Sequence, residues 1–103
     1  RKLLLDYIEQ HLDLALSIDD LAQLVALSPY HFARMFSVSF ALPPHRYVLG
    51  RRLERAAHLL RHSSLAIGEI ALACGFASPS HLNQRFRTRF QLSPSQYRLA
   101  LGS

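Results

Sequence analysis

Ser28-Pro29-Tyr30-His31-Phe32-Ala33-Arg34-Met35-Phe36 and Ser78-Pro79-Ser80-His81-Leu82-Asn83-Gln84-Arg85-Phe86 are one pattern written twice, 50 residues apart. The correspondence continues from Phe40, Leu42, Pro44 and Tyr47 to Phe90, Leu92, Pro94 and Tyr97. Upstream, Ile18, Asp20, Leu21, Ala22, Ala26 and Leu27 match Ile67, Glu69, Ile70, Ala71, Gly75 and Phe76 at an offset of 49, so Ala77 is a one-residue insertion in the second copy. Two copies are too few for a solenoid. The pattern is a duplicated supersecondary unit, and both copies have helical rather than alternating periodicity.

Each copy reads as two helices joined tightly, the first over about residues 18–26 and 67–74. Ser17 can cap the first helix with Asp20 at the third helical position; the second copy keeps Glu69 there but has Ala66 at the cap, a weaker start. Ser28-Pro29 and Ser78-Pro79 open the following helices, about 29–40 and 79–90. Serine accepts a free backbone N–H at a helix start, and proline at the first helical position has no N–H to lose. Two short helices separated by a turn of about three or four residues form a helix-turn-helix.

At about 100° per residue the second helix of each copy separates into two faces. Phe32, Met35, Phe36 and Phe40, and in the second copy Leu82, Phe86 and Phe90, share the core side. Opposite them lie Tyr30, Ala33, Arg34 and Ser37, then Ser80, Asn83, Gln84 and Arg87. Arginine forks onto guanine, asparagine and glutamine onto adenine, and an alanine methyl can touch the thymine methyl. The alternative is an ordinary solvated face, but such faces normally carry Glu and Lys, absent here.

Charge follows the same division. Residues 1–27 hold Asp6, Glu9, Asp13, Asp19 and Asp20 against Arg1 and Lys2, whereas from residue 28 onward ten arginines face only Glu54 and Glu69, and the whole chain is +5. Guanidinium binds phosphate and guanine edges in a bidentate fork, so this bias favours a nucleic-acid partner. With 103 residues and 50% hydrophobic content the chain suits one compact domain. No run approaches the roughly 18 apolar residues of a membrane span, and the chain reads as cytoplasmic. Cys74, the lone cysteine, sits in the apolar stretch 70–76 and reads as a buried hydrophobe.

Other chemistries have weaker support. His58 and His62 have the i, i+4 spacing of shared metal ligands, but no carboxylate stands by to complete or orient a site, and neither metal nor cofactor is expected. No strained nucleophile turn, Gly-rich phosphate loop or paired acidic motif points to an enzyme. A helical protein-interaction module without specific DNA readout is the remaining alternative; it would present apolar residues where Arg34, Gln84 and Arg87 stand.

Between the copies, over about residues 44–61, Leu49, Leu53, Ala56 and Leu60 recur at i, i+4, i+7, i+11, a helix about 27 Å long. Arg51, Arg55, His58 and His62 fall on another of its faces, open to solvent or phosphate. The chain starts in an amphipathic helix, with Leu4, Leu5, Ile8 and Leu12 at helical spacing, and has no initiating methionine, which reads as a domain excised from a longer protein.

Gly75-Phe76-Ala77-Ser78-Pro79-Ser80-His81-Leu82, with Phe86-Arg87, Phe90, Ser93-Pro94 and Tyr97-Arg98, resembles the signature of the AraC/XylS family of transcription regulators. Arg51-Arg52-Leu53-Glu54-Arg55-Ala56, Leu59-Leu60, Ile67 and Glu69-Ile70-Ala71 match the family's pattern in order and spacing, so the likeness covers nearly the whole chain. It departs at Ala41 and Gln91, where the family often has glycine, and a different helix cap is expected there.

The resemblance implies an all-α, homeodomain-like fold of about seven helices, with helix-turn-helix subdomains at 1–47 and 63–103 joined by a linker helix at 48–62. Its recognition helices would enter successive major-groove segments of an operator or promoter. Base-facing roles pass to Tyr30, Ala33, Arg34, Ser37, Ser80, His81, Asn83, Gln84 and Arg87, and phosphate contacts to Ser17, Ile18, Arg61, Ile67 and Ser78. RNA polymerase is a further candidate partner, and nucleoid association follows from the DNA role. The isolated domain is expected to be monomeric, with dimerisation of the full-length protein left to a domain outside this chain.

Overall fold

The structure, a computed structural model, describes residues 2–102. Among them are seven α-helices and no strand: α1 (Lys2–Gln10), α2 (Ile18–Leu24), α3 (Pro29–Phe40), α4 (Pro44–His62), α5 (Ile67–Ala73), α6 (Pro79–Phe90) and α7 (Pro94–Gly102). The all-α expectation holds. The chain divides between Arg51 and Arg52 into two compact units, and α4 runs across that boundary.

In the first unit Leu4, Ile8 and Leu12 meet Leu21 and Ala22 of α2, Phe32 and Phe36 of α3 and Val48 of α4 in a buried cluster, with Met35, Phe40 and Tyr47 packed against it. Each fully buried phenylalanine contributes roughly 1.5–3 kcal/mol relative to exposure, so the apolar face of α3 is fixed inward. The second unit buries Leu53, Ala56, Ala57, Leu60, Ile70, Ala71, Cys74, Phe76, Leu82 and Phe86. One aromatic trio appears in both. Phe36 stands 4.4 Å from Phe40 and 5.4 Å from Tyr47, centroid to centroid, and Phe86 stands 4.5 Å from Phe90 and 5.2 Å from Tyr97.

The tight turns repeat with the same precision. Ala26 N–H donates to the Gln23 carbonyl and Leu27 N–H to that of Ala22; in the second unit Gly75 N–H donates to Leu72 and Phe76 N–H to Ala71. This pair of bonds is a Schellman closure, which needs a left-handed residue, and Ala26 (φ 57°) and Gly75 (φ 86°) supply it. That closure ends α2 at Leu24 and α5 at Ala73, earlier than periodicity alone suggests, because Val25 and Cys74 already leave helical geometry. Residues 25–28 form the first turn and 74–78 the second, longer by the inserted Ala77.

The ends of α3 and α6 correct an expectation. Ala41 and Gln91, both at φ 62°, adopt the same left-handed cap that glycine would take. Their N–H groups donate to the carbonyls of Ser37 (2.9 Å) and Arg87 (2.8 Å). The closure is retained despite the roughly 1–2 kcal/mol that a Cβ costs in this region.

Candidate nucleic-acid interface

Both second helices are started by the same local chemistry. Ser28 Oγ accepts His31 N–H at 3.2 Å and Ser78 Oγ accepts His81 N–H at 3.1 Å, with Pro29 and Pro79 at the first helical position. With one side of α3 buried, the other is turned outward: Tyr30 is 67% exposed, Arg34 is exposed, and Ala33 and Ser37 are half-buried. These four line one shallow depression together with Val38. From sequence, Val38 is not among the expected readers, because an apolar residue does not stand out as a groove-reading type. Its spacing, four residues beyond Arg34 and eight beyond Tyr30, is the signal that finds it.

On α6 the side chains of Ser80, Asn83, Gln84 and Arg87 are exposed. His81 differs from them: it is half-buried, with its ring edge-on to Phe76 at 5.4 Å. Arg85 and Arg89 are also exposed, and the Arg89 guanidinium lies 4.7 Å from the Phe90 ring centroid. Neither α3 nor α6 carries an acidic side chain, so nothing on either helix opposes an approaching phosphate.

The residues expected to contact phosphate sit at helix starts and at the end of α4. Ser17 Oγ accepts Asp20 N–H at 3.0 Å and so caps α2, and Ile18 is partly exposed beside it. Ala66 has no side-chain acceptor, but Glu69 Oε1 accepts its N–H at 3.2 Å, with half-buried Ile67 next in sequence. Ser78 is committed to the α6 cap, and Arg61 Nη1 donates to the Tyr97 hydroxyl at 2.6 Å.

Two arginines that composition counts with the basic face are held internally. Arg51 makes a two-pronged ion pair with Glu9, Nη2 to Oε1 at 2.8 Å and Nε to Oε2 at 3.1 Å, which engages its fork within the first unit although its side chain stays 34% exposed. Arg98 donates to the carbonyls of Leu60 (3.2 Å), Ser63 (3.2 Å) and Leu65 (2.7 Å), satisfying oxygens that the end of α4 leaves open. The His58 and His62 rings are 4.6 Å apart, and no group of three or more His, Cys, Asp or Glu gathers among the described residues. Burial pushes the Cys74 thiol up from 9.0 to about 11, against the nearby charges of Arg55 and Arg52.

Two serine-capped helix-turn-helix units, each turning a polar or arginine-bearing helix face outward, define a helix-turn-helix domain. A family profile described as "Helix-turn-helix domain" matches residues 21–100. The chain is 38% identical over 93 residues to the HTH-type transcriptional regulator CdhR of Pseudomonas aeruginosa, covering 90% of this chain and 28% of that protein. A crystal structure of a transcriptional regulator from Chromobacterium violaceum, with an AraC-type DNA-binding domain, superposes with a TM-score of 0.88 at 33% identity, covering 97% of this chain and 89% of the other. The DNA-binding domain of AdpA, solved with a target DNA, gives a TM-score of 0.92 at 29% identity over 96% and 89% of the two chains. The chain belongs to this helix-turn-helix family, in its AraC type, a class of DNA-binding domains rather than of enzymes. It spans 28% of the length of CdhR and 37% of that of the protein named "Probable transcriptional regulator LumQ" from Photobacterium leiognathi.

Proposed function

We propose that this chain binds double-stranded DNA sequence-specifically as the reading domain of a transcription regulator, with α3 and α6 each entering one major-groove segment. The observation that carries the proposal is the outward face of these two helices. Tyr30, Ala33, Arg34 and Ser37 share one depression on α3, and Ser80, Asn83, Gln84 and Arg87 are exposed on α6. Arg34 and Arg87 are the guanine-reading candidates, Asn83 and Gln84 the adenine-reading ones. His81 acts at the margin of the α6 face, since it is partly buried against Phe76.

In this reading residues 1–47 and 63–103 are the two reading subdomains and 48–62 the joining segment. Ser17, Ile18, Ile67 and Ser78 position the helix starts against phosphate, where backbone N–H groups favour anions, and Arg61 adds charge. Contact with RNA polymerase and dimerisation belong to the full-length protein. The chain spans 34% of the length of the Escherichia coli protein named HTH-type transcriptional activator RhaS, a name that supports contact with the transcription machinery.

Selection from randomised duplexes, followed by anisotropy titrations of wild type, Arg34→Ala and Arg87→Ala across salt concentrations, tests the proposal. Two short motifs are expected, with each substitution relaxing one of them at a cost of about 1–3 kcal/mol. Sequence-blind binding that only weakens with salt would leave the basic face as an electrostatic surface.

A further inference from the structure

Val38 is 83% exposed on α3, and it lines the same depression as Tyr30, Ala33, Arg34 and Ser37. Neither packing nor helix formation accounts for a valine here. Its side chain covers almost nothing in the first unit, and a β-branched residue is a poorer helix former than the Lys, Glu or Ala usual on a solvated face. A single exposed apolar side chain is ordinary in isolation. Val38 is not isolated, because it extends a surface that already holds the Tyr30 ring and the Ala33 methyl around one guanidinium.

The angular position is equally specific. At 100° per residue Val38 lies about 40° around the helix from Arg34, on the side away from Ala33, and both point away from the direction of Phe32 and Phe36. Arg34 and Val38 are one turn apart, about 6 Å along the helix axis. That spacing compares with one or two base-pair steps of about 3.4 Å.

In the major groove one base edge is apolar, the C5 methyl of thymine, and it is matched by apolar side chains rather than by donors or acceptors. We propose that Val38 is a specificity-determining residue that selects thymine through this methyl, at a base pair one or two steps from the one read by Arg34. The inference rests on the DNA-reading function proposed above and adds to it the identity of a base. The corresponding place on α6 is held by Thr88, whose hydroxyl donates to the Gln84 carbonyl at 3.1 Å. The two helices therefore differ at this place, with two methyl groups on α3 and, on α6, one methyl beside a hydroxyl tied to its own helix.

The test uses the duplex selected by wild type, with each thymine in turn replaced by deoxyuridine, which differs only in lacking the C5 methyl. Binding of wild type, Val38→Ala and Val38→Ile is followed by anisotropy, and the base read by Arg34 is located from the position that Arg34→Ala relaxes. At one thymine, within two base pairs of that position, wild type and Val38→Ile are expected to lose roughly fourfold in affinity on removal of the methyl, the worth of one buried methyl group. Val38→Ala is expected to bind thymine and deoxyuridine duplexes alike at that place. Alanine is the better helix former and replaces an exposed side chain, so this variant keeps the fold. Equal thymine-to-uracil losses for wild type and Val38→Ala at every position would overturn the assignment, as would the absence of any thymine within two base pairs of the Arg34 base. Failure of wild type to select any sequence is a separate result, which removes the DNA-reading function and the assignment with it.

Discussion

Ala26 and Gly75 occupy the same place in two copies of one turn, and both stand in left-handed backbone geometry, at φ 57° and 86°. The turn closes identically in both, with Leu27 N–H to Ala22 at 3.0 Å and Phe76 N–H to Ala71 at 2.9 Å, so the first copy carries a Cβ penalty that the second avoids. Ala26→Gly should raise stability by roughly 0.5–1 kcal/mol, the relieved strain less the extra freedom of glycine in the unfolded chain. Gly75→Ala should lower it by about 1 kcal/mol or more. Urea midpoints of the two variants check this, and the account fails if the two substitutions shift stability in the same direction.

Ala41 and Gln91 carry the same left-handed Cβ penalty, with a difference between them. Ala41→Gly relieves a left-handed alanine at no other loss, whereas Gln91 Nε2 donates to the Thr88 carbonyl at 3.1 Å, a bond that glycine gives up. Ala41→Gly is expected to gain roughly 0.5–1 kcal/mol and Gln91→Gly less than that, measured by thermal unfolding.

Arg98 is a cation with a large predicted effect on folding. Its three donors satisfy carbonyls at Leu60, Ser63 and Leu65, so Arg98→Ala leaves the end of α4 and the following loop without partners. A loss of about 2 kcal/mol is expected, more than one charge-assisted bond and less than three because the site is half open to water. Arg98→Lys should recover only part, since one ammonium cannot reproduce the planar fork. A urea titration in which Arg98→Ala matches wild type would refute the role.

Local chemistry explains which features were legible from sequence. Ser-Pro starts, the alternation of Phe32, Phe36 and Phe40 with outward residues, and the duplicated aromatic positions are signals carried within a few residues, and they specify the helices, the turns and the two cores. What depends on distant partners was not legible. The acceptors of Arg98 lie 33 to 38 residues away, and Glu9 lies 42 residues from Arg51, so a count of charges gives no sign that these arginines are engaged within the fold. Ala41 and Gln91 take the left-handed cap although intrinsic preference there argues for glycine, so the residue type alone does not announce it. Val38 lies at the far edge of the outward face from Ala33, and an apolar side chain there carries no polar signal of its own.

Gly50 gives a prediction about α4. It lies in the interior of the helix, and a Cβ built on it meets nothing within 4 Å. Close packing therefore does not require glycine there, while glycine in a helix costs roughly 0.5–1 kcal/mol relative to alanine. Gly50→Ala should stabilise the domain by about that amount, read from its thermal midpoint. Destabilisation instead would refute the open setting of Gly50.

Cys74 links burial to pH. It is fully buried, and its thiol is pushed up from 9.0 to about 11, so the folded state holds its proton over a range in which an unfolded chain loses it. For an acid with a raised folded value, the associated stability is fully present below pH 9 and declines as pH rises toward 11. The change in this interval is on the order of 1–3 kcal/mol. Other groups titrate there too, so the informative quantity is the difference between wild type and Cys74→Ala, measured by urea unfolding at several pH values from 8 to 11. Wild type should lose its advantage over the variant across that window. The thiol of the native protein should also react with iodoacetamide far more slowly than a cysteine in an unfolded peptide, because both burial and the scarcity of thiolate protect it. Fast alkylation of the folded domain, with no pH-dependent difference between the two proteins, would place Cys74 in an open, ionisable setting and contradict its packing in the second unit.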